Sequence, residues 1–306
     1  MAHIWPIGGG KGGSGKSFLA SSLGSLLARS GKKTLLIDLD LGAANLHTMV
    51  GVPYPEKCFS DFITKKTSSM EDTILGTSIP NLFLISGARD SLDIANLPYD
   101  KKIKTLRAIT RLDYEYVILD LGAGTAFNTL DFFLASRNGI FITTPEPTSI
   151  ENVYRLIRAI YLRRIRHVFS ASEFKALGKK VQELSGNDSF HQPENIVSVV
   201  RKEYPGKYSL IEKDLDAFCF KLVLNQVRKQ DNAALGEQIC KIIRKHLGMN
   251  VDFAGSISYD EHVHDAICQR LCFLDRYPHT KAANDLRVLN RKMSNAFGEQ
   301  LMLNYL

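Results

Sequence analysis

The sequence predicts a three-layer α/β fold in which helices cover both faces of a mostly parallel, twisted sheet. Short apolar runs rich in β-branched residues alternate along the chain with longer segments of helical period. This alternation is typical of parallel strands joined by crossover helices. A glycine-rich segment directly follows the first apolar run, at a position where α/β sheets commonly bind phosphate groups. We therefore expect one domain over residues 1–306.

The strands and helices follow from hydrophobic period and turn signals. The predicted strands are 3–7, 34–37, 82–85, 116–119, 139–143, 221–224 and 251–257. The predicted helices are 16–30, 101–111, 127–136, 150–168, 233–246 and 281–297, the last belonging to a C-terminal element at about 281–306. Trp5 and Pro6 interrupt the first strand, because proline has no N–H for a central ladder.

Residues 170–215 break the alternation. The segment is polar, carries turn signals and contains only short stretches of helical period. It is too poor in apolar residues to hold a core alone, so we predict a helical insertion at one end of the sheet.

Composition places the chain among ordinary globular proteins. It is 44% hydrophobic and 23% charged, which excludes disordered, collagen-like and disulfide-scaffold classes. No apolar run is long enough for a transmembrane helix, the first residues lack the core of a secretory signal, and the five cysteines are scattered. We expect a cytoplasmic protein, with peripheral binding to the inner face of the cell membrane as an option.

The positive charge is concentrated in one segment. The formal net charge is +7, and residues 155–180 contain eight basic residues against the single acid Glu173. Such a segment attracts nucleic-acid phosphates, anionic lipid or an acidic protein face, or forms a solvated helix surface. The count leaves these alternatives open.

The strongest motif is the loop after the first strand. Residues 10–17 match G-x-x-x-x-G-K-S between a predicted strand and a predicted helix. Glycines let successive backbone N–H groups turn toward one anion, and the helix adds the positive end of its dipole. We expect Lys16 to reach the β- and γ-phosphates and the Ser17 hydroxyl to bind Mg²⁺.

Carboxylates follow two predicted strands at their carboxyl ends, the edge at which open α/β sheets bind ligands. Asp38 and Asp40 end one strand and point the same way by the period of two, while Asp120 ends another. Asp120 is therefore the natural group to hold Mg²⁺ through water.

Lys11 stands directly before Gly12 and Gly13, and this arrangement resembles the deviant Walker A loop of the MinD/ParA ATPases, P-loop NTPases of the SIMIBI/MinD-like class. The resemblance extends to Asn45 and to residues 38–40, 120–124, 144–148, 224–226 and 257–260, covering about 1–160 and 218–290. Residues 38–47 and 143–148 look more like the FlhG/FleN flagellar-number regulators than like ParA proper.

The resemblance implies ATP or ADP with Mg²⁺, held between two protomers that close face to face. Lys11 would cross to the partner's phosphates, Asp40 would orient the attacking water, Asn225 would bond adenine, and the loop of Ser258 and Tyr259 would pack on the base. The expected catalytic residues are Lys11, Lys16 and Asp40, and the expected metal residues are Ser17, Asp38, Asp40 and Asp120. The expected nucleotide-binding residues are Gly10, Lys11, Gly12, Gly13, Ser14, Gly15, Lys16, Ser17, Phe18, Asn225, Ser258 and Tyr259.

The resemblance further implies a slow, partner-stimulated ATPase switch that positions a cellular structure. Its surface would be a membrane, bound through an amphipathic C-terminal helix with apolar residues at Leu286, Leu289, Met293, Phe297, Leu301 and Met302. A helix packed on the sheet explains the same stripe equally well. The alternatives are a ParA-like ATPase that binds DNA nonspecifically through residues 155–180, and a biosynthetic ligase of the same superfamily.

A metal cluster is not expected at His262, His264, Cys268 and Cys272, because their spacing matches no standard zinc pattern.

Overall fold

The computed structural model describes residues 2–42, 44–87, 97–185 and 193–296. The strands are β1 (His3–Gly8), β2 (Thr34–Leu39), β3 (Leu75–Gly76), β4 (Leu82–Ile85), β5 (Tyr116–Leu121), β6 (Ile140–Thr143), β7 (Phe220–Val227) and β8 (Val251–Ser258). The helices are α1 (Lys16–Arg29), α2 (Leu46–Met49), α3 (Phe59–Ile63), α4 (Tyr99–Arg111), α5 (Phe127–Phe133), α6 (Pro147–Val168), α7 (Ala171–Ser185), α8 (Pro193–Glu203), α9 (Pro205–Asp216), α10 (Leu235–Leu247), α11 (His262–Cys268), α12 (Phe273–Arg276) and α13 (Lys281–Ala296).

Across these ranges the eight strands form one sheet in the order β3-β4-β2-β5-β1-β6-β7-β8. Every neighbouring pair is parallel except β3 with β4. The predicted α/β class and mostly parallel sheet are confirmed. The antiparallel edge strand β3 was not predicted, because a strand of two residues is too short to show an alternation of apolar and polar side chains.

The sheet separates two apolar layers, as the three-layer prediction requires. Consecutive residues of a strand point to opposite faces, so Ile4 and Trp5 of β1 lie in different clusters, both essentially buried. The same division separates Leu35 from Leu36 on β2. Cover on both faces explains why the strands read as continuous apolar runs rather than as alternating ones.

Pro6 fits the central strand because the ladder is incomplete beside it. β1 pairs with β5 from residue 3 to 7, whereas its pairing with β6 begins only at Ile7. The Ile4 carbonyl faces the β6 side, where it accepts a hydrogen bond from the Ser136 hydroxyl at 2.7 Å. Pro6, two residues on, faces the same side, so its missing N–H removes no strand hydrogen bond.

Some helix ends differ from prediction by a few residues. α5 ends at Phe133 instead of 136, and in the segment that follows the Ser136 hydroxyl accepts the Asn138 N–H. α6 begins at 147 instead of 150, because Pro147 suits the first helical position, where its absent N–H is not needed.

Helices α7, α8 and α9 occupy the predicted insertion, apart from residues 186–192, which lie outside the described ranges. Their inward side chains, such as Leu177, Ile196 and Ile211, belong to the same apolar cluster as one face of the sheet. α9 packs on α6, and α8 packs on α10. The insertion thereby extends the helical layer of that face.

Candidate functional site

A cavity of 480 Å³ lies at the carboxyl edge of the sheet, where the loops after β1, β2, β5, β7 and β8 converge. Ten of the predicted site residues line it, namely Gly12, Gly13, Gly15, Lys16, Ser17, Phe18, Asp40, Asn225, Ser258 and Tyr259. Gly10, Lys11, Ser14, Asp38 and Asp120 lie beside or beneath this lining.

Glycine is required in the loop for two different reasons. Gly15 has a φ of 95°, a left-handed conformation that leads the chain into α1. Gly10 packs directly on α6, where a Cβ atom would lie 2.1 Å from the backbone carbonyl carbon of Asn152. Gly12, in contrast, has open space around its Cβ position. The loop is thus held against the protein at one end and exposed at its tip.

α1 begins at Lys16, which puts the lysine, the Ser17 hydroxyl and the free N–H groups of the first turn at the cavity wall. Lys16 is buried despite its charge. Phe18 anchors the turn by packing edge-to-face on Phe273, with 5.3 Å between ring centroids. The arrangement concentrates positive potential where a phosphate group would enter.

Lys11 lies outside the cavity lining. Its side chain is 51% exposed, and its Nζ atom is 4.0 Å from a carboxylate oxygen of Glu146, which precedes α6. At this distance and exposure the pair is a weak one. Lys11 therefore stands at the outer surface of the loop, available to a group arriving from outside this chain.

The loop is tied to β7 by two consecutive amide side chains. Asn225 Nδ2 donates to the Ser14 carbonyl at 3.0 Å, and Gln226 Nε2 donates to the Gly13 carbonyl at 3.2 Å. Asn225 is buried, and its side chain also lines the cavity. Its expected contact with adenine stays a prediction, to which the structure adds a second role in bracing the loop.

Asp38 and Asp120 are register partners on the adjacent strands β2 and β5, so their side chains point to the same face. Both are almost completely buried. Burial raises the pKa of Asp120 to about 7, against the opposing effects of the neighbouring Ser17 hydroxyl and Lys16 ammonium group. Burial, and then the Asp120 carboxylate, raise the pKa of Asp38 well above its usual range.

The two acids differ in their hydrogen bonding. Asp38 accepts backbone N–H bonds from Asp40 and Leu46, each at 3.1 Å, and so braces the loop after β2. Within the described residues, neither buried oxygen of Asp120 completes a hydrogen bond of normal geometry, although the Ser17 hydroxyl lies beside it. Asp120 is therefore the better placed of the two to accept a ligand, and the metal roles expected of Ser17, Asp38, Asp40 and Asp120 stay predictions.

Asp40 follows β2 and lines the cavity. Its Oδ1 atom lies 3.5 Å from the position that a Cβ atom would take on Gly122, in the loop after β5. The predicted water-orienting residue therefore faces the cavity between two strand-end loops.

The opposite wall is built by the loop after β8. The Tyr259 N–H donates to the Val227 carbonyl at 2.9 Å, and the Arg228 guanidinium covers the Tyr259 ring at 4.3 Å from its centroid. Tyr259 is 43% exposed and lines the cavity. A flat aromatic wall of this kind suits the stacking of a planar ring.

Nine residues that line the cavity were not among the site residues predicted from the sequence. The additional side chains are Asn45, Met49, Ala123, Gln226, Asp260, Glu261, Val263, His264 and Ile267. Asn45, Ala123, Gln226 and Asp260 fall inside the motifs that carry the family resemblance, so the sequence already contained a signal for them. The α11 residues Val263, His264 and Ile267 reach the cavity only because the chain turns back there.

The donors present fit Mg²⁺ bound together with a phosphate group. A buried carboxylate without a completed hydrogen bond and a hydroxyl beside it are hard oxygen ligands. In the described part of the chain, no three His, Cys, Asp or Glu side chains converge as a metal cage, and Mg²⁺ bound with nucleotides commonly takes the remaining ligands from phosphate and water. Asp120 and Ser17 would hold the ion.

The histidine and cysteine residues between 262 and 272 make separate pairwise contacts with different parts of the chain. His264 Nε2 lies 3.5 Å from the Cys268 sulfur, His262 Nδ1 lies 2.7 Å from Asp260, and Cys272 is near Ser25 on α1.

Comparison with known proteins decides the family. The profile of the CobQ/CobB/MinD/ParA nucleotide binding domain matches residues 6–272. The chain belongs to this family. The antiactivator FleN of Pseudomonas aeruginosa is 21% identical over 295 residues, which cover 96% of this chain and 86% of FleN. The septum site-determining protein MinD of Synechocystis is 29% identical over 159 residues, only 51% of this chain and 59% of MinD.

Solved structures show the same fold. MinD of Pyrococcus furiosus superposes with a TM-score of 0.66 at 19% identity, covering 96% of this chain and 99% of that one. MinD of Pyrococcus horikoshii, complexed with Mg-ADP, also has a TM-score of 0.66, with 19% identity over 95% of this chain and 96% of that one. A putative plasmid partition protein of Borrelia burgdorferi, bound to AMPPNP, has a TM-score of 0.59 with 17% identity over 97% of this chain and all of that one.

None of the described helices of this family member combines the length and the apolarity needed to cross a bilayer.

Proposed function

We propose that this chain is an ATP-binding and ATP-hydrolysing switch that dimerises on ATP and positions a cellular structure, as the resemblance to MinD and FleN suggests. The observation that carries the proposal is that two lysines of one loop lie in different places. Lys16 is buried at the cavity wall, whereas Lys11 stands exposed outside it. One cation serves the chain's own nucleotide, and the other is presented to a second copy.

The chemistry would rest on positioning and charge neutralisation. Backbone N–H groups of the loop and Lys16 hold the phosphates, and Asp40 orients the attacking water from its place at the cavity wall. Mg²⁺, when bound, would supply charge neutralisation at the phosphate oxygens. A partner protein would stimulate this slow reaction, after which the dimer separates.

The proposal is tested by nucleotide binding and by the dependence of mass on nucleotide. Calorimetry with Mg-ADP should show saturable binding, and light scattering should show a dimer with ATP and a monomer with ADP. Lys11→Ala should keep Mg-ADP affinity within about two-fold and lose both the dimer and hydrolysis. Lys32→Ala, a substitution of another exposed lysine, is the matched control and should behave as wild type. A Lys11→Ala protein with full ATPase activity would contradict the proposed role of that residue.

The DNA-binding alternative loses support from the way the basic segment is packed. Four of its cations pair with carboxylates: Arg155 with Glu151 at 2.5 Å, Arg163 with Asp131 at 2.7 Å, Arg164 with Asp214, and Lys180 with Glu203 at 2.5 Å. All four acids lie outside residues 155–180, and Asp131, Asp214 and Glu203 belong to other helices. At least half of the eight cations are therefore paired, and we expect DNA binding through this segment to be weaker than the charge count alone suggests.

Of the two interpretations of the C-terminal apolar stripe, the described residues favour a helix packed on the sheet over one that binds lipid. Leu286, Leu289 and Met293 of α13 are buried in the second apolar cluster against the sheet. A helix whose apolar face is already covered offers none to a bilayer. The remaining stripe residues Phe297, Leu301 and Met302 lie outside the described residues.

Sedimentation distinguishes the surfaces that the switch would bind. The protein is spun with anionic liposomes or with duplex DNA, each in ATP and in ADP. Pelleting with lipid in ATP alone supports a membrane-positioning switch at the inner face of the cell membrane. Pelleting with DNA in ATP alone would instead favour the partition function, despite the paired arginines.

A further inference from the structure

We infer that Asp285, on the C-terminal helix α13, is a positioning residue that fixes the base end of the nucleotide cavity. The inference rests on the proposed nucleotide-binding function and adds to it a residue outside the cavity and outside every motif of the sequence. It concerns the wall formed by Ser258 and Tyr259, which lies opposite the phosphate loop.

One carboxylate oxygen of Asp285 holds the last residue of β8 at two points. Asp285 Oδ2 accepts the Ser258 backbone N–H at 2.9 Å and the Ser258 hydroxyl at 2.7 Å. The same hydroxyl accepts a hydrogen bond from Lys281 Nζ at 2.7 Å, so an acid and a base of α13 clamp a single serine. Hydrogen bonds to an ionised acceptor are the stronger kind.

The clamp is rigid because α13 is packed tightly on the strand that it holds. Ala282, Ala283 and Leu286 are completely buried beneath the helix. At Gly255 of β8, a Cβ atom would lie 3.1 Å from a methyl group of Leu289. α13 therefore cannot shift along β8 without losing this packing, and Asp285 keeps its place relative to Ser258.

A second contact fastens the same loop to the start of α13. Asp260, in this loop, also lines the cavity. Partial burial raises the pKa of Asp260, but hydrogen bonds from Thr280 and His262 outweigh that effect and lower it. Thr280 in turn accepts the Ala283 N–H at 3.2 Å in the first turn of α13. The loop is thus attached at Ser258 to α13 and at Asp260 to Thr280, the residue just before that helix.

The phosphate end of the cavity is held by different elements. The loop of residues 10–17 is supported by α1, by α6 and by the Asn225 side chain. Loss of the Asp285 carboxylate therefore loosens the wall that meets the base and leaves the phosphate site in place. Binding of a nucleotide should therefore weaken while binding of a phosphate chain alone does not, a difference that a general loss of stability would not produce.

The test compares two probes by calorimetry: Mg-ADP, and magnesium tripolyphosphate, which has no base or sugar. Asp285→Ala should weaken Mg-ADP about ten-fold, the value of one charge-assisted hydrogen bond, and leave tripolyphosphate within about two-fold. Asp285→Asn keeps the shape of the side chain if the alanine variant folds poorly, and should show the same split to a smaller degree. Asn284→Ala, at the exposed neighbouring position, should match wild type with both probes.

A double-mutant cycle gives a second readout. Adding Ser258→Ala to Asp285→Ala should cost much less Mg-ADP affinity than Ser258→Ala costs alone, because the two side chains act as one unit. Unchanged Mg-ADP affinity in Asp285→Ala, or equal weakening of both probes, would overturn the positioning role. If wild type binds neither probe, the proposed function itself fails.

Discussion

Replacing Asp120 with asparagine should make the nucleotide-free protein more stable at pH 8. Asp120 is 1% exposed, and burial raises its pKa from an ordinary 3.8 to about 7. Its charged form is therefore disfavoured in the folded state. A shift of about three pKa units, at about 1.4 kcal/mol each, amounts to at most about 4 kcal/mol. Because the neighbouring Asp38 carboxyl titrates together with Asp120, part of this cost belongs to the pair. We therefore expect Asp120→Asn to raise the free energy of unfolding by about 2–4 kcal/mol.

The pH dependence has a definite sign. Well below pH 4 the carboxyl is protonated in both the folded and the unfolded state and does not change the free energy of unfolding. As pH rises toward 7, the unfolded chain releases the proton while the folded chain retains it, so this group lowers the free energy of unfolding. Above about pH 7 the carboxyl is ionised in both states and the full cost is present. The advantage of Asp120→Asn should therefore be largest at pH 8 and shrink toward pH 4.

Urea unfolding between pH 4 and 8, without nucleotide or Mg²⁺, measures the effect. Asp113→Asn, at a fully exposed carboxylate just before β5, is the control and should change stability by less than about 0.5 kcal/mol. Mg-ADP should stabilise wild type more than Asp120→Asn, because the variant lacks the free carboxylate. A variant that is no more stable than wild type at pH 8, or whose advantage does not change with pH, would refute the reasoning.

Three further outcomes are expected from the same cavity. Gly10→Ala should lower Mg-ADP affinity at least about ten-fold by calorimetry, since its Cβ would overlap the backbone of Asn152, whereas Gly76→Ala, on the edge strand β3 with open space at its Cβ position, should bind normally. Asn225→Ala should weaken Mg-ADP about ten-fold by unbracing the loop, and more than Gln226→Ala, whose side chain is exposed. Chelation of Mg²⁺ should weaken ADP binding more at pH 8 than at pH 6, because the buried carboxyl of β5 is protonated below about pH 7.

The sheet and the phosphate loop could be predicted because their signals are local. Each of the seven predicted strands forms at its place, with ends that differ by a few residues. The loop motif needs only its own glycines, a strand before it and a helix after it. The sequence also placed Asp38 and Asp120 at the carboxyl edge of the sheet, although only the strand order of the structure makes them direct neighbours.

The meaning of the charged and apolar stripes could not be predicted in this way. Counting charges within residues 155–180 suggested a cationic surface, but Asp131, Asp214 and Glu203 from other helices pair with those cations. Period alone cannot tell whether an amphipathic helix such as α13 covers a sheet or a membrane. Whether a cation is paired, and whether an apolar helix face is covered, both depend on which part of the folded chain lies against it.

By itself, then, the sequence determined the order of strands and helices along the chain, the class of fold and the anion-binding loop, because near neighbours encode them. Only the tertiary structure decided which lysine is buried, which aspartate is left without a completed hydrogen bond, and which helix holds the far wall of the cavity. Those properties arise where residues such as Ser258 and Asp285 meet across the fold, and desolvation and hydrogen bonding act through space rather than along the chain.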